Sequence, residues 1–471
     1  MSFTTLTEGN KVFTTAGNWN TDNSWIPSGA PAATDNAIIR ANVTIPNGTV
    51  ATANNISFEG TTTPTLIIDD GGELVVNNSV EAVVYKTINN WNTTSWYFIA
   101  SPLATSTNPT SVSDMITDTY TGEDDSQRTY DLYSLDVTQS TNCWQNYRKH
   151  QSNFSLINGM GYLYASKAGT DLVFSGNIQP SNENVTLNNL NDGFNLVGNP
   201  YTCTAYVNKP HYTLSQASDG ITSSTVATSK TTAIAPLTGV IINDNSATFS
   251  KNVPDGSANN GNIQIVLAQT VNTRGNAGSA TIDNAIVSFN EGSQLEKFYF
   301  GEQNANIYIP QGNEEYAIVS AEAQGEMPVC FKAKADGQYT ISVDAENVEM
   351  GYLHLIDNIT GADVDLLANP SYTFNAKWDD YASRFRLVFS ANNSNNAEAE
   401  SDNFAFISNG QIILNGVNNN ATLQVIDMMG RIVSSEQING NSANLAPTAS
   451  GVYVLRLING TETKTQKIVV K

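Results

Sequence analysis

The chain has 471 residues, enough for two or more domains that each bury a core of their own. Hydrophobic residues make up 40% of it but charged residues only 14%, against roughly 25% in ordinary soluble proteins. The formal charge of −22 repels polyanions and excludes nucleic acid as a partner, and the absence of any run of about 18 apolar residues excludes a helical membrane span.

Asn, Thr, Ser and Gly carry the polar surface. These residues compete for backbone hydrogen bonds or raise the entropic cost of ordering, so they favour turns and short strands over helix interiors. The composition therefore reads as all-β. Cys143, Cys203 and Cys330 are too few for a disulfide scaffold and too far apart for a zinc site. At most one bridge is possible, with Cys143–Cys203 the candidate pair and Cys330 left as a buried thiol. The opening Met1-Ser2-Phe3-Thr4-Thr5 has neither the basic start nor the apolar stretch of a signal peptide, so an export signal is expected to have been removed ahead of it.

Residues 1–85 contain a Trp-rich entry, Gly17-Asn18-Trp19-Asn20 and Asn23-Ser24-Trp25, followed by short strands such as Val43-Thr44-Ile45, Leu66-Ile67-Ile68 and Glu73-Leu74-Val75-Val76. Strands this short and closely spaced can stack as rungs of a right-handed β-helix or β-solenoid; a small sandwich is the alternative. The segment resembles the N-terminal module of many Bacteroidetes surface proteins. Residues 86–269 carry a weak duplication: Trp96-Tyr97-Phe98-Ile99-Ala100-Ser101-Pro102-Leu103 matches Phe194-Asn195-Leu196-Val197-Gly198-Asn199-Pro200-Tyr201 at an offset of 98. Each is a strand ended by a proline. Each is followed by a Gly-led strand, Gly161-Tyr162-Leu163-Tyr164 or Gly239-Val240-Ile241-Ile242. Two related β-sandwich units are expected; coincidence among β-rich segments is the alternative.

Thr270 to Thr281 is small, polar and Gly-containing, and reads as a long loop. Residues 282–390 then read as a further β-sandwich; its stretch Tyr352-Leu353-His354-Leu355-Ile356-Asp357-Asn358-Ile359-Thr360-Gly361, with Tyr372-Thr373-Phe374 after it, resembles the accessory sandwich that precedes many sorting domains. Residues 391–403 contain no apolar residue larger than alanine and read as a flexible linker.

After the linker, residues 404–471 alternate in character from acidic to mildly basic, at +2 against −24 for the rest. Asn409-Gly410 between two apolar runs is a hairpin turn, and about seven short strands are expected, enough for one small immunoglobulin-like sandwich. Three features occur in order: Asp427-Met428-Met429-Gly430-Arg431, then Ser450-Gly451-Val452-Tyr453-Val454, then Lys464-Thr465-Gln466-Lys467-Ile468-Val469-Val470-Lys471. Together they resemble the C-terminal sorting domain of the Bacteroidetes type IX secretion system. The resemblance implies recognition by the outer-membrane translocon and an extracellular or outer-membrane surface location. It also implies cleavage in or near 390–403 with exchange for a glycolipid anchor. The sorting residues it singles out are Gly430, Arg431, Gly451, Tyr453, Lys464, Lys467 and Lys471.

Little points to catalysis. His150, His211 and His354 lack ligand partners at metal spacing, and Gly-x-Ser-x-Gly is absent, so no catalytic residue, resident metal or cofactor is expected. Glu123-Asp124-Asp125, with Asp114, Asp118 and Asp131 nearby, could hold Ca²⁺ through oxygen ligands, although a solvated acidic loop accounts for it more simply. Trp91, Trp96, Trp144, Tyr147, Tyr162 and Tyr164 are either core rings or a sugar-stacking strip. The expected function is that of an exported, non-enzymatic adhesin binding a surface glycan or protein. A secreted polysaccharide hydrolase or lyase and a passive surface-layer component are the alternatives.

Overall fold

The computed structural model describes residues 9–470, apart from 61–62, 92–95, 119, 121–125, 140–142, 152–153, 216–223, 255–259, 274–275, 301–303, 393–403, 409–410, 415–420, 439–441, 444–449 and 460–461. Among them the regular structure is nearly all β, with a single turn of α-helix at Tyr147–His150. It separates into two compact units. One is Met1–Ser257 with Phe298–Phe300, and the other is Ala258–Lys297 with Gly301–Lys471.

The first unit opens with parallel ladders of short strands. Asn10–Phe13, Asn36–Ile39 and Ile56–Phe58 form one. Gly17–Asn18, Val43–Ile45, Leu66–Ile68 and Glu81–Ile88 form a second, and Val50–Thr52 with Glu73–Val75 a third. The chain visits the ladders in turn, so that Val43 lies beside Leu66 and Val50 beside Glu73, each 23 residues further on. Inward residues such as Val43, Ile45, Leu66 and Ile68 are buried. A stack of asparagines tracks the same repeat. Asn36 Nδ2 donates to Asn10 Oδ1 at 3.1 Å, Asn54 Nδ2 to Asn36 Oδ1 at 3.1 Å and Asn77 Nδ2 to Asn54 Oδ1 at 3.0 Å. At the entry, Trp19 and Trp25 are buried edge to face, 4.9 Å apart. The Trp25 indole donates to the Trp19 carbonyl at 2.7 Å.

The core does not stop at residue 85. Strand Glu81–Ile88 also pairs antiparallel with Thr170–Asn177, and one apolar cluster runs from Phe13 to Tyr164 and Leu237. The duplicated segments fold alike: each proline-ended strand pairs antiparallel with its Gly-led strand, Tyr97–Ala100 with Gly161–Ser166 and Phe194–Gly198 with Gly239–Asn243. Both lie in four-stranded sheets whose strands follow the same order, first, fourth, second, third. The two sheets meet where no side chain fits. A Cβ on Gly198 would lie 2.4 Å from Ala100 Cβ and 2.9 Å from the Met160 carbonyl. Asn158 bridges the two proline strands, donating to the Ser101 carbonyl at 3.2 Å and the Pro200 carbonyl at 3.0 Å.

The second unit carries a sheet of eleven strands. Its longest hairpin, Asn262–Thr273 with Asn276–Ser288, pairs Val271 with Gly278 and Thr270 with Ser279, so the described residues of the expected loop, 270–273 and 276–281, are strand. Small polar side chains conceal such a strand because ladder bonds use backbone groups that every non-proline residue carries. An aromatic cluster of Phe331, Tyr339, Phe374 and Phe385 fills part of its core. Most of the expected linker 391–403 lies outside the described residues; Ala391 belongs to strand Phe385–Ala391.

The three cysteines are unbridged thiols, so the one bridge the sequence allowed, Cys143–Cys203, is not formed. Cys203 is buried among Val197, Tyr201 and Ala205, where desolvation pushes its thiol up to about 12. Cys143 is half-buried beside the turn at Asp136, whose amide donates to the Cys143 carbonyl at 2.7 Å.

Candidate functional site

The C-terminal module is built from hairpins. Ala405–Ser408 pairs with Gln411–Leu414; Asn409-Gly410, where the sequence predicts the turn, lies outside the described residues. Thr422–Asp427 pairs with Ile432–Gln437, and Gly451–Asn459 with Glu462–Val470. With Ser442–Ala443, these seven described strands form sheets of three and four. Between the sheets lie Ile412, Leu414, Leu423, Val425, Leu455 and Leu457. On the first hairpin Ile413 is buried against Tyr352 and Val388 of the preceding sheet.

The turn at Asp427–Arg431 is closed by one carboxylate. Asp427 Oδ1 accepts from the Met429 amide at 3.0 Å and the Arg431 amide at 2.9 Å, while Oδ2 pairs with the Arg431 guanidinium at 2.7 Å. Bonds from the Arg431 amide and then its side chain hold the Asp427 carboxyl below the usual range. Gly430 sits at φ +81°, a conformation that L side chains resist. The turn therefore projects Met428 and Met429, 66% and 82% exposed. Ile432, Ile426, Val454 and Lys467 are successive direct cross-strand partners, hence share one face. Val452 and Val469 pair beside them. Ile432 and Val469 are 50% and 59% exposed. This outer face is apolar and basic together, with exposed Lys467 on its edge strand; Lys464, also exposed, pairs with the buried Leu457 and so lies on the other side of that strand. A Cβ on Gly451 would only touch the Tyr453 ring at 3.5 Å. Lys471 lies outside the described residues.

The other sequence candidates do not converge. Glu123, Asp124 and Asp125 lie outside the described residues. Asp118 accepts from Arg148 at 2.8 Å, and Asp131 from Arg128 at 3.1 Å; among the described residues no group of three acidic, histidine or cysteine side chains could hold a metal. His211 is fully buried, its Nδ1 3.1 Å from the Lys209 carbonyl, and desolvation drops it to about 4. His354 stacks on Tyr352 at 4.2 Å and bonds Asp363 at 2.7 Å. His150 ends the short helix.

Of the six aromatic candidates, Tyr147, Tyr162 and Tyr164 are buried, and Trp91, Trp96 and Trp144 are half-buried. Trp96 meets Tyr133 edge to face, and Trp144 meets Phe300. The displayed rings lie elsewhere: Trp378 and Tyr381 are 70% and 53% exposed. Their loop is pinned at the Trp378 amide by Asp336 (3.0 Å), at the Lys377 amide by Asp380 (2.9 Å), and at Asp380 by the buried Arg384. Sequence reasoning missed them because an isolated Lys-Trp-Asp-Asp-Tyr run carries no periodicity that separates a displayed ring from a core ring.

No curated protein matches the chain, and no helix among the described residues is long and apolar enough to cross a membrane. Residues 407–471 match the family described as the secretion system C-terminal sorting domain. The module built around the Asp427–Arg431 turn is thus a type IX sorting domain, and the chain that carries it is a cargo of that secretion machinery, bound for the cell surface or the extracellular space.

Proposed function

We propose that the chain is a non-enzymatic surface adhesin whose ligand is a glycan, carried on a short β-solenoid and tandem β-sandwich units and delivered by its immunoglobulin-like sorting domain. The observation that supports ligand binding over passive structure is the Trp378–Tyr381 loop. An exposed indole on a pinned backbone offers an apolar face to the C–H side of a sugar at little ordering cost, and Asp379 beside it offers acceptors to hydroxyls. A glycan array and a hydrolysis screen on the full chain test this. Binding without turnover, lost at least tenfold in Trp378→Ala, is expected. Turnover, or binding indifferent to Trp378, overturns it.

The sorting residues are assigned to Gly430, Arg431, Gly451, Tyr453, Lys464, Lys467 and Lys471. The support is a turn held by Asp427 beside an apolar, basic outer face, which suits a large apolar partner surface with an acidic rim. A reporter fused to residues 404–471 is expected to reach the surface of a host with a working type IX apparatus. Gly430→Val, or Lys464→Glu with Lys467→Glu, is expected to leave it in the periplasm. Equal export of these variants and the parent would remove the assignment.

A further inference from the structure

The second unit holds a lysine and an aspartate that the sorting and binding readings do not use. Asp283 lies in strand Asn276–Ser288 and Lys297 just past strand Leu295–Glu296, their side chains 7% and 2% exposed. Lys297 Nζ is 2.5 Å from Asp283 Oδ1 and 3.2 Å from the Asn284 carbonyl. Both carboxyl oxygens are held by backbone donors: Oδ1 accepts from the Asn284 amide at 2.9 Å and Oδ2 from the Ile307 amide at 2.8 Å. The ladder slips at this place, with Leu267 opposite Asp283 but Ala268 opposite Thr281. A bulge of this kind re-aims a side chain and is enriched beside reactive sites.

A structural ion pair would be an expensive use of this position, because neither charge recovers its lost hydration fully. We infer that Lys297 and Asp283 are the two halves of an intramolecular isopeptide crosslink. In a water-excluded pocket, passage of one proton from the ammonium to the carboxylate leaves an amine and a carboxylic acid, the two forms that react. Burial pushes the Asp283 carboxyl upward, in the sense that favours this transfer. The Nζ lone pair then attacks Cγ. The developing negative charge falls on Oδ2, which the Ile307 N–H already faces, as a preorganised donor should. Oδ1 collects the proton released by nitrogen and departs as water. One C–N bond forms, one C–O bond breaks, one water leaves, and no electrons are exchanged. The fixed contact supplies the effective concentration that a bimolecular condensation lacks. The product ties two segments 14 residues apart by an amide that neither mild acid nor a reductant opens.

Intact-mass spectrometry of the purified full chain reads the result directly. The expected mass is the sequence mass less one water, with tryptic cleavage lost after Lys297, so that Asp283 and Lys297 are recovered in one looped peptide spanning residues 275–332 that is one water lighter than its sequence. The Lys297→Arg chain, which keeps the charge but cannot form this amide, is expected at its full sequence mass. A wild-type chain at full mass overturns the crosslink. So does a water loss that persists in Lys297→Arg, which marks a cyclic imide at Asp283 instead.

Discussion

Removing the guanidinium of Arg384 would strand a carboxylate where water cannot reach it. Arg384 holds Asp357 through two bonds, Nη2 to Oδ2 at 2.8 Å and Nε to Oδ1 at 3.1 Å, with both side chains 1% exposed. It also lies over the Phe374 and Phe385 rings, 4.4 and 5.2 Å from their centroids. Breaking one side of such a pair costs about 3–5 kcal/mol, whereas replacing both sides by apolar groups costs little. Arg384→Met should therefore lower the urea midpoint of the second unit sharply, and Arg384→Met with Asp357→Leu should restore most of it. A single variant as stable as the parent would show that the pair is idle. The Asp357 carboxyl is pushed up by burial but more strongly down by its Arg384 bond and the Ile359 amide, so its net displacement is downward. A carboxyl depressed in the folded state contributes stability above its unfolded value, about 4, and loses it as the pH falls through the folded value. His211 works in the same direction at higher pH. Burial drops it to about 4, so below an unfolded value of about 6.5 the unfolded chain binds the proton first. The first unit should lose up to about 3 kcal/mol between these limits, a loss that His211→Gln should largely abolish.

At the scale of elements, the abutting sheets of the first unit make a sharper demand than any strand makes alone. Gly198→Ala places a methyl 2.4 Å from Ala100 Cβ against backbone that cannot yield, and overpacking of this kind costs about 1–3 kcal/mol. Gly337→Ala, where a Cβ would meet nothing within 4 Å, is the control and should leave thermal stability nearly unchanged. If the two variants melt alike, the close approach is not a constraint. In the ladders, Asn36→Ala removes bonds to both Asn10 and Asn54 and should cost roughly 1–2 kcal/mol. These elements were unequally legible in the sequence. The proline-ended strands at Ala100 and Gly198 could be matched because a proline ends a ladder wherever it stands, and the duplicated strand order followed. The Asp427–Arg431 turn was legible because few residues tolerate a positive φ. Residues 270–273 and 276–281 were misread as a loop because their pairing lies in the backbone. Trp144 and Trp378 were indistinguishable because whether a ring is covered depends on residues distant in sequence. The Lys297–Asp283 contact was invisible for the same reason, since strand register alone brings the two side chains together.

For the whole molecule, the division into two compact units predicts two unfolding transitions rather than a single melting temperature. Each unit has a core of its own, Phe13, Trp19 and Tyr164 in one and Phe331, Tyr339 and Phe385 in the other. Substitutions that share no partners should add independently. Gly198→Ala should then lower one calorimetric transition and Arg384→Met the other. Acid should separate them further. The unit containing His211 weakens as the pH falls from about 6.5 to about 4, whereas the Arg384–Asp357 contribution to the other is retained until the pH falls below about 4. Calorimetry at pH 7.5 and pH 4.5 should therefore show the transition sensitive to Gly198→Ala moving to lower temperature by more than the one sensitive to Arg384→Met, with His211→Gln removing much of the difference. One transition that responds to both substitutions, or two that move together with pH, would mean that the units unfold as a single cooperative body.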